Sequence, residues 1–155
     1  MRRLRFLNCA PAGCFATYGY QRFQQRKAFP MAKLRHIALI VPDPDKAAKF
    51  FEEAFDMKVA GKARRGVYVS DGIINVALLK QEGNEKVGIY HFGMWVDDLD
   101  EAEKKVQDAG ATYLEGRPTS PDSFYECKYK DPLGIVFDLT HKGWKGAVKD
   151  VVAKS

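Results

Sequence analysis

Three ionisable side chains lie within short runs of the sequence that are mostly apolar. His36, His91 and Asp138 each occur in such a run, and burying them there is unfavourable unless a partner compensates them. Two neutral imidazoles and one carboxylate, held on strands with coordination positions left open, are the donor set with which a divalent metal binds substrate or dioxygen. We therefore predict a metal site formed by these three residues. The runs are residues 34–41, 88–96 and 134–141.

Each of the three residues also has a simpler explanation. A single histidine in a strand is most often a core side chain satisfied by a hydrogen bond, and Asp138 could pair with a nearby lysine or arginine. The occurrence of all three in apolar runs favours the metal site, because a cation would compensate the buried acid and both imidazoles together.

The two histidines occupy the same place in two copies of one pattern, an apolar strand followed by a capped helix. The copies are 55 positions apart, from His36 to His91, and align without a gap. We interpret them as a duplicated unit with one histidine in each copy. The other coincident pairs are Val41 and Val96, Asp43 and Asp98, Asp45 and Asp100, Ala47 and Ala102, Lys49 and Lys104, and Ala54 and Ala109.

Hydrophobic periodicity and turn residues predict a strand, a helix and three further strands in each half of the chain. Asp43 and Asp98 are placed to cap the two helices, with Pro44 at the first helical position and Gly110 as a stop signal. The second helix is predicted at about 99–109. The predicted strands are 34–41, 57–64, 65–69, 73–80, 88–96, 111–115, 124–130 and 134–141.

Strand alternation places the three predicted ligands on one face of the sheet. Alternate residues share a face, so Ile37 and Leu39 packing on the helices would turn His36 the other way. The same alternation turns His91 and Asp138 to that face in their own strands. The predicted site therefore lies on the side of the sheet away from the helices.

The composition is that of a soluble globular protein with a distinct N-terminal segment. Of 155 residues, 46% are hydrophobic and 29% charged, and the formal net charge is +5. Residues 1–30 hold six basic residues and no acid, so the remaining residues hold 19 basic and 20 acidic side chains, a net charge of −1. The basic character belongs to the segment and gives no support to nucleic-acid binding by the domain.

We divide the chain into a disordered basic arm at 1–30, a single domain at 31–142 and a C-terminal tail at 143–155. The domain contains modules at about 33–82 and 88–141, and the tail is expected to be a short docking helix or frayed. The arm is either a mitochondrial presequence, since such segments are Arg-rich and poor in acids, or sequence upstream of a start at Met31.

Localisation follows from the same features. No apolar run is long enough to cross a membrane, and the compact apolar centre of a secretory signal is missing from the arm. Cys9, Cys14 and Cys127 form no zinc-type spacing and favour a reducing compartment. We expect a cytoplasmic protein, with the mitochondrial matrix as the alternative if the arm is a presequence.

The duplication, the strand histidines and the run Asp131-Pro-Leu-Gly-Ile-Val-Phe-Asp138 resemble the vicinal oxygen chelate superfamily. This family includes glyoxalase I, bleomycin- and fosfomycin-resistance proteins, extradiol dioxygenases and methylmalonyl-CoA epimerase. The resemblance covers nearly all of residues 34–141. It implies an α+β fold in which two tandem βαβββ modules form a cupped mixed sheet around a divalent metal. Carried over, the ligands are His36, His91 and Asp138, the same residues that the alternation selects.

Three positions depart from the pattern of the better-known members of this family. One is Asp138, which is one methylene shorter than the glutamate that is usual there. The glutamate that serves glyoxalase-type members as ligand and base corresponds here to Ala77, which can do neither. Extradiol enzymes tend to carry a tyrosine three residues before the Asp-Pro turn, where this chain has Lys128. The remaining ligand set resembles the two-histidine, one-carboxylate triad of non-haem Fe(II) oxygenases, so Fe(II) is favoured, with Zn, Ni or Mn as alternatives.

Glu126 and Lys128 are the predicted catalytic residues. They share a strand face, and if that face lines the cup they could orient an anionic substrate or move a proton. The alternative is a solvated charge pair on an edge strand. If the face of Glu126 and Lys128 lines the cup, Tyr125 and Tyr129 point away from the cup. His141 lies past the last strand and is expected to be exposed rather than a ligand.

Three functions remain open from the sequence. We favour a metal-dependent enzyme of dioxygenase type acting on a small organic substrate. The alternatives are a glyoxalase I-like lyase or isomerase, for which Glu126 would have to supply the base, and a metal-free small-molecule binding protein. No hydrolase nucleophile turn, phosphate loop or dinucleotide fingerprint is present. We also expect a homodimer, with no nucleic-acid or membrane partner.

Overall fold

The computed structural model describes residues 31–117 and 126–151. Within these residues, the order strand, helix and three strands occurs twice, as predicted. The predicted basic arm and the end of the tail lie outside the described residues. The elements are β1 Lys33–Val41, α1 Pro44–Phe55, β2 Lys58–Ala63, β3 Gly66–Ser70, β4 Asn75–Lys80, β5 Gly88–Trp95, α2 Leu99–Asp108, β6 Thr112–Glu115, β7 Cys127–Lys130 and β8 Val136–Thr140.

The described strands form one mixed sheet in the order β2-β3-β4-β1-β5-β8-β7-β6. β1 pairs in parallel with β4, and β5 pairs in parallel with β8, whereas β1 and β5 are antiparallel neighbours at the centre. The two modules therefore contribute matching halves related by a pseudo-twofold axis between β1 and β5. The predicted α+β class, with two βαβββ modules in a cupped mixed sheet, is confirmed.

Aspartate caps begin both helices. Asp43 Oδ1 accepts hydrogen bonds from the backbone N–H groups of Asp45 and Lys46 at 3.1 and 3.0 Å. Asp98 Oδ1 accepts one from the backbone N–H of Glu101 at 2.9 Å. These bonds satisfy donors that the first helical turn leaves unpaired, so the predicted caps are confirmed.

Each helix packs over its own module, and both cover the same face of the sheet. Leu39 of β1 contacts the cluster that contains Ala48 of α1, and Phe92 of β5 contacts the cluster that contains Leu99 of α2. Leu39 and Phe92 point to one face, because Phe92 lies opposite Ile37 in the antiparallel pair. The other face is left for the polar residues of the strands.

The chain after β8 differs from both expectations for the tail. Between residues 143 and 151 the backbone forms turns and no helix. Trp144 is only 6% exposed. This segment is therefore packed against the sheet rather than frayed.

Among the described residues, no helix is both long enough and apolar enough to span a membrane.

Candidate metal centre

Four side chains converge on the face of the sheet away from the helices. His36, His91, Glu126 and Asp138 each offer a ligand atom, and these atoms all lie within 4.8 Å of one another. The two histidines are 2% and 6% exposed, and Asp138 is fully buried. The structure thus brings the three predicted ligands together and adds Glu126, which the sequence predicted as a catalytic residue instead.

Small residues on the neighbouring strand make room for each histidine. His36 lies opposite Gly93, and His91 lies opposite Ala38, across the β1–β5 pair. A Cβ atom at Gly93 would lie 2.9 Å from the Cβ of His36. Ala38 and Gly93 are themselves related by the repeat, so both modules use the same device.

The strand register identifies Ala77 as the first-module counterpart of Asp138. Ala77 lies beside Ala38 in the parallel pair β1–β4, and Asp138 lies beside Gly93 in the parallel pair β5–β8. Because Ala38 and Gly93 are equivalent, so are Ala77 and Asp138. The methyl group of Ala77 faces the same cavity as the histidines and supplies no ligand atom.

Asp138 uses its two oxygens differently. Lys128 Nζ lies 2.5 Å from Asp138 Oδ1. His91 Nε2 lies 2.9 Å from Asp138 Oδ2, yet neither of these two buried atoms has a hydrogen-bond partner among the described residues. The ion-pair explanation for Asp138 is therefore correct for one oxygen only. A divalent cation fits the remaining pair, because it accepts lone pairs from both atoms at once.

Burial sets the protonation of the cluster. It lowers the pKa of His36 and of His91 to about 4 in each case, so both imidazoles are neutral at pH 7, the form that binds metals. Burial, with a hydrogen bond and Coulomb repulsion from Asp138, raises the pKa of Glu126 to about 7. Glu126 thus exchanges a proton near neutral pH.

Glu126 and Lys128 both face the cavity, as their predicted roles require. Their side chains are 25% and 13% exposed, and β7 lies between β8 and β6 rather than at an edge. The alternative of a solvated edge pair is therefore wrong. Tyr129 points away from the cavity, as predicted, and is buried against α2, whereas Tyr125 lies outside the described residues. His141 is exposed and lies outside the cluster.

A cavity of about 620 Å³ opens beside the cluster. Tyr68, Tyr90 and Leu79 line it together with His36, His91, Glu126 and Lys128. Arg65 stands in its wall and is held by Glu85 Oε2 and Oε1 at 2.6 and 2.8 Å. The cavity is large enough for a small organic molecule next to the ligand atoms.

Sequence reasoning missed two residues that contact His36. Asn75 Oδ1 lies 2.6 Å from His36 Nδ1, and the ring of Trp144 stacks on the imidazole. Asn75 precedes the apolar run of β4 and shares a face with Ala77, and a polar residue at this position was a usable signal. Trp144 carried no such signal, because the tail has no strand periodicity.

The family model of the glyoxalase, bleomycin resistance protein and dioxygenase superfamily matches residues 33–139. The chain belongs to this superfamily. The resemblance to the vicinal oxygen chelate proteins is therefore confirmed, and it now rests on the matched domain as well as on the fold.

Relatives within the superfamily differ in activity. The chain is 28% identical over 116 residues to the metallothiol transferase FosB of Bacillus licheniformis, covering 71% of this chain and 75% of that protein.

Two solved structures share the fold. One is homoprotocatechuate 2,3-dioxygenase from Brevibacterium fuscum, with a TM-score of 0.59, 19% identity, and coverage of 75% of this chain and 38% of that chain. The other is a Mn(II)-bound glyoxalase from Novosphingobium aromaticivorans, with a TM-score of 0.55, 17% identity, and coverage of 79% and 44%.

Proposed function

We propose that this protein is a metal-dependent enzyme that acts on a small organic substrate, with His36, His91 and Asp138 as the metal ligands. The reaction type that we favour is that of a dioxygenase. A bound divalent ion would supply Lewis-acid chemistry, and in the case of Fe(II) also dioxygen chemistry, at positions open to the cavity.

One observation carries the proposal. His91 Nε2 and Asp138 Oδ2 face each other in a buried site with no hydrogen-bond partner among the described residues. Leaving two such atoms unsatisfied is unfavourable by about 1–3 kcal/mol each. A cation bound by both atoms, with His36 as the third ligand, removes that penalty.

The state of Glu126 supports a three-ligand site. Its Oε2 accepts a hydrogen bond from Trp144 Nε1 at 3.2 Å, and burial beside the charge of Asp138 raises the pKa of Glu126 to about 7, which favours its protonated form in the metal-free protein. A protonated carboxyl is a poor metal ligand. Three protein ligands leave more positions for substrate and dioxygen than four would.

The same residue supports a second candidate, a glyoxalase-type lyase or isomerase. That reaction needs a base beside the metal, which Ala77 cannot provide. A carboxyl whose pKa is raised to about 7 suits proton transfer near neutral pH. Glu126 would then take the proton-transfer role, from the position just before β7 instead of from β4.

Metal analysis tests the proposal. The full chain, loaded anaerobically with Fe(II) and desalted, should retain about one equivalent of iron, and His91→Ala should retain almost none. His141→Ala is the matched control, because His141 is exposed and outside the cluster, and it should bind like the parent. If all three proteins retain almost no metal, also after loading with Zn, Ni or Mn, the enzyme proposals are removed. A metal-free binding protein is then the remaining candidate function.

Reaction type is tested separately on the loaded protein. Oxygen uptake with a panel of aromatic diols supports the dioxygenase. Turnover of the methylglyoxal–glutathione adduct by the Ni or Zn form, lost in Glu126→Gln, supports the lyase or isomerase instead.

The predicted homodimer and cytoplasmic location remain proposals. Sedimentation of the full chain measures the first, and fractionation of cells that produce it measures the second.

A further inference from the structure

The segment after β8 is tied across the first module by its backbone. We call residues 143–150 the C-terminal strap. Its carbonyl and amide groups bond to side chains and backbone of β1, β3 and the turn before β4. These bonds are Ser70 Oγ to the Gly146 carbonyl at 2.7 Å, the Val148 amide to the Ile73 carbonyl at 3.1 Å, and Arg35 Nε to the Val148 carbonyl and Nη2 to the Lys149 carbonyl at 2.6 and 2.7 Å.

One further strap carbonyl reaches a buried amide beside the metal centre. Asn75 is fully buried, and its Nδ2 donates to the backbone carbonyl of Lys145 at 2.7 Å. A carbonyl oxygen can only accept, so the NH₂ group of the amide must face the strap. The Oδ1 atom of Asn75 must then face His36, where it lies 2.6 Å from Nδ1. The strap thereby sets which way the amide points.

The orientation of the amide determines the tautomer of His36. An amide oxygen has no hydrogen to donate, so the short contact requires that His36 Nδ1 carries the proton. The lone pair of the neutral ring then belongs to Nε2. Of the two ring nitrogens, only Nε2 remains available to a ligand on the side of the cluster.

The strap also fixes the plane of the same imidazole. The indole of Trp144 stacks on His36 with a centroid distance of 4.8 Å and an interplanar angle of 7°. The other end of the indole donates its N–H to Glu126. Gly93 admits this ring, because a Cβ there would lie 2.5 Å from it. The strap is therefore a wall of the site.

We propose that the C-terminal strap and Asn75 act together as a positioning unit that holds His36 in the tautomer with Nε2 free for the metal. Asn75 is a positioning residue, since it acts through His36 and touches no substrate. Loss of such a partner typically weakens metal binding 10- to 100-fold. The functional part of this inference rests on the proposed metal site, whereas the tautomer itself does not.

The tautomer can be measured without metal. In the metal-free full chain, labelled with ¹⁵N-histidine, long-range ¹H–¹⁵N spectra at pH 7.5 should show His36 protonated at Nδ1 and unprotonated at Nε2. His36→Gln assigns the signals. Protonation at Nε2 in the parent protein would overturn the proposal outright, whatever the metal does.

Metal affinity gives the second readout, from Co(II) titration of full-chain variants. Asn75→Leu should bind Co(II) 10- to 100-fold more weakly than the parent, because it offers His36 no acceptor. Asn75→Asp should bind Co(II) more tightly than Asn75→Leu, because a carboxylate still accepts from Nδ1 although it cannot donate to the strap. Asn84→Leu, at an exposed loop asparagine, is the matched control and should bind like the parent.

The outcomes separate the two ideas. A parent protein that binds no Co(II), Fe(II) or Zn(II) removes the proposed function, and the tautomer spectrum then decides the positioning claim alone. If the parent binds metal, two results would overturn the positioning claim and leave the metal site standing. The first is that Asn75→Leu binds as tightly as the parent, and the second is that folded Asn75→Asp binds as weakly as Asn75→Leu.

Discussion

Replacing Lys128 by methionine should destabilise the metal-free protein. Lys128 Nζ lies 2.5 Å from Asp138 Oδ1, and the two side chains are 13% and 0% exposed. Removing one partner of a buried ion pair costs about 3–5 kcal/mol, and we take about 3 because Lys128 keeps some contact with solvent. For a chain of this size, that corresponds to a fall of roughly 6–12 °C in Tm.

The same substitution should tighten metal binding. The ammonium group and a divalent ion compete for the charge of Asp138 and repel each other. Two unit charges about 4 Å apart interact by about 4 kcal/mol at an effective dielectric of about 20, and a dication doubles that value. Even if screening removes most of this energy, the remaining part of about 1.4 kcal/mol is a tenfold gain in affinity.

Thermal unfolding with and without metal measures both effects together. At about 100 times its Kd, a metal stabilises the folded state by about 2.7 kcal/mol, so a tighter-binding variant recovers more Tm from the same ion concentration. Lys128→Met should therefore start lower and gain more than the parent. Lys130→Met, at an exposed lysine of the same strand, is the control and should change neither value.

A weaker affinity in folded Lys128→Met would refute this reasoning. It would mean that Lys128 aids binding by orienting Asp138 more than it opposes binding by its charge. An unchanged Tm in the metal-free variant would instead show that the ion pair adds nothing to stability.

Three further predictions follow from burial in and around the site. Near pH 5.5, the unfolded metal-free chain binds a proton at each of His36 and His91, whose folded pKa is about 4, and the folded chain binds one at Glu126, whose pKa is about 7. Between pH 5 and 6, the free energy of unfolding should then rise with pH by about 1.4 kcal/mol per pH unit in the parent and by about 2.7 in Glu126→Gln, as measured by urea unfolding. Equal slopes in the two proteins would contradict the proton that is assigned to Glu126. Burial raises the pKa of the Cys127 thiol to about 12, so with Cys9 and Cys14 changed to Ser the native protein should not react with a disulfide reagent at pH 8 until denatured. Gly93→Ala should cost about 1–3 kcal/mol by crowding Trp144, and Trp144→Leu in the same chain should relieve part of that loss, which a double-mutant cycle detects as non-additivity.

Most of the fold was predictable because its determinants are local. Asp43 and Asp98 cap helices through bonds within one turn, and alternation along β1, β5 and β8 decides which side chains leave the core. The repeat then relates His36 to His91. The correspondence of Ala77 to the family's glutamate position was inferred from the resemblance, and the register that makes Ala77 the counterpart of Asp138 supports it.

The electrostatics of the site were less accessible. Strand alternation selected Asp138. The sequence also allowed a lysine as its partner but did not identify which lysine. Lys128 reaches Asp138 because β7 and β8 place these residues directly opposite each other. That register depends on how the sheet closes after residues 118–125, and strand patterning alone does not determine it.

The sequence by itself determined the duplicated modules and the face that carries both histidines and Asp138, because periods of two and 3.6 residues and a constant repeat offset are properties of the chain. Tertiary structure alone decided the surroundings of that acid and of His36. Asn75 meets the strap carbonyl 70 positions away, and Trp144 meets Glu126 across the same site. Contacts between such distant residues arise only when the sheet has formed and the last segment packs across it, so no local pattern encodes them.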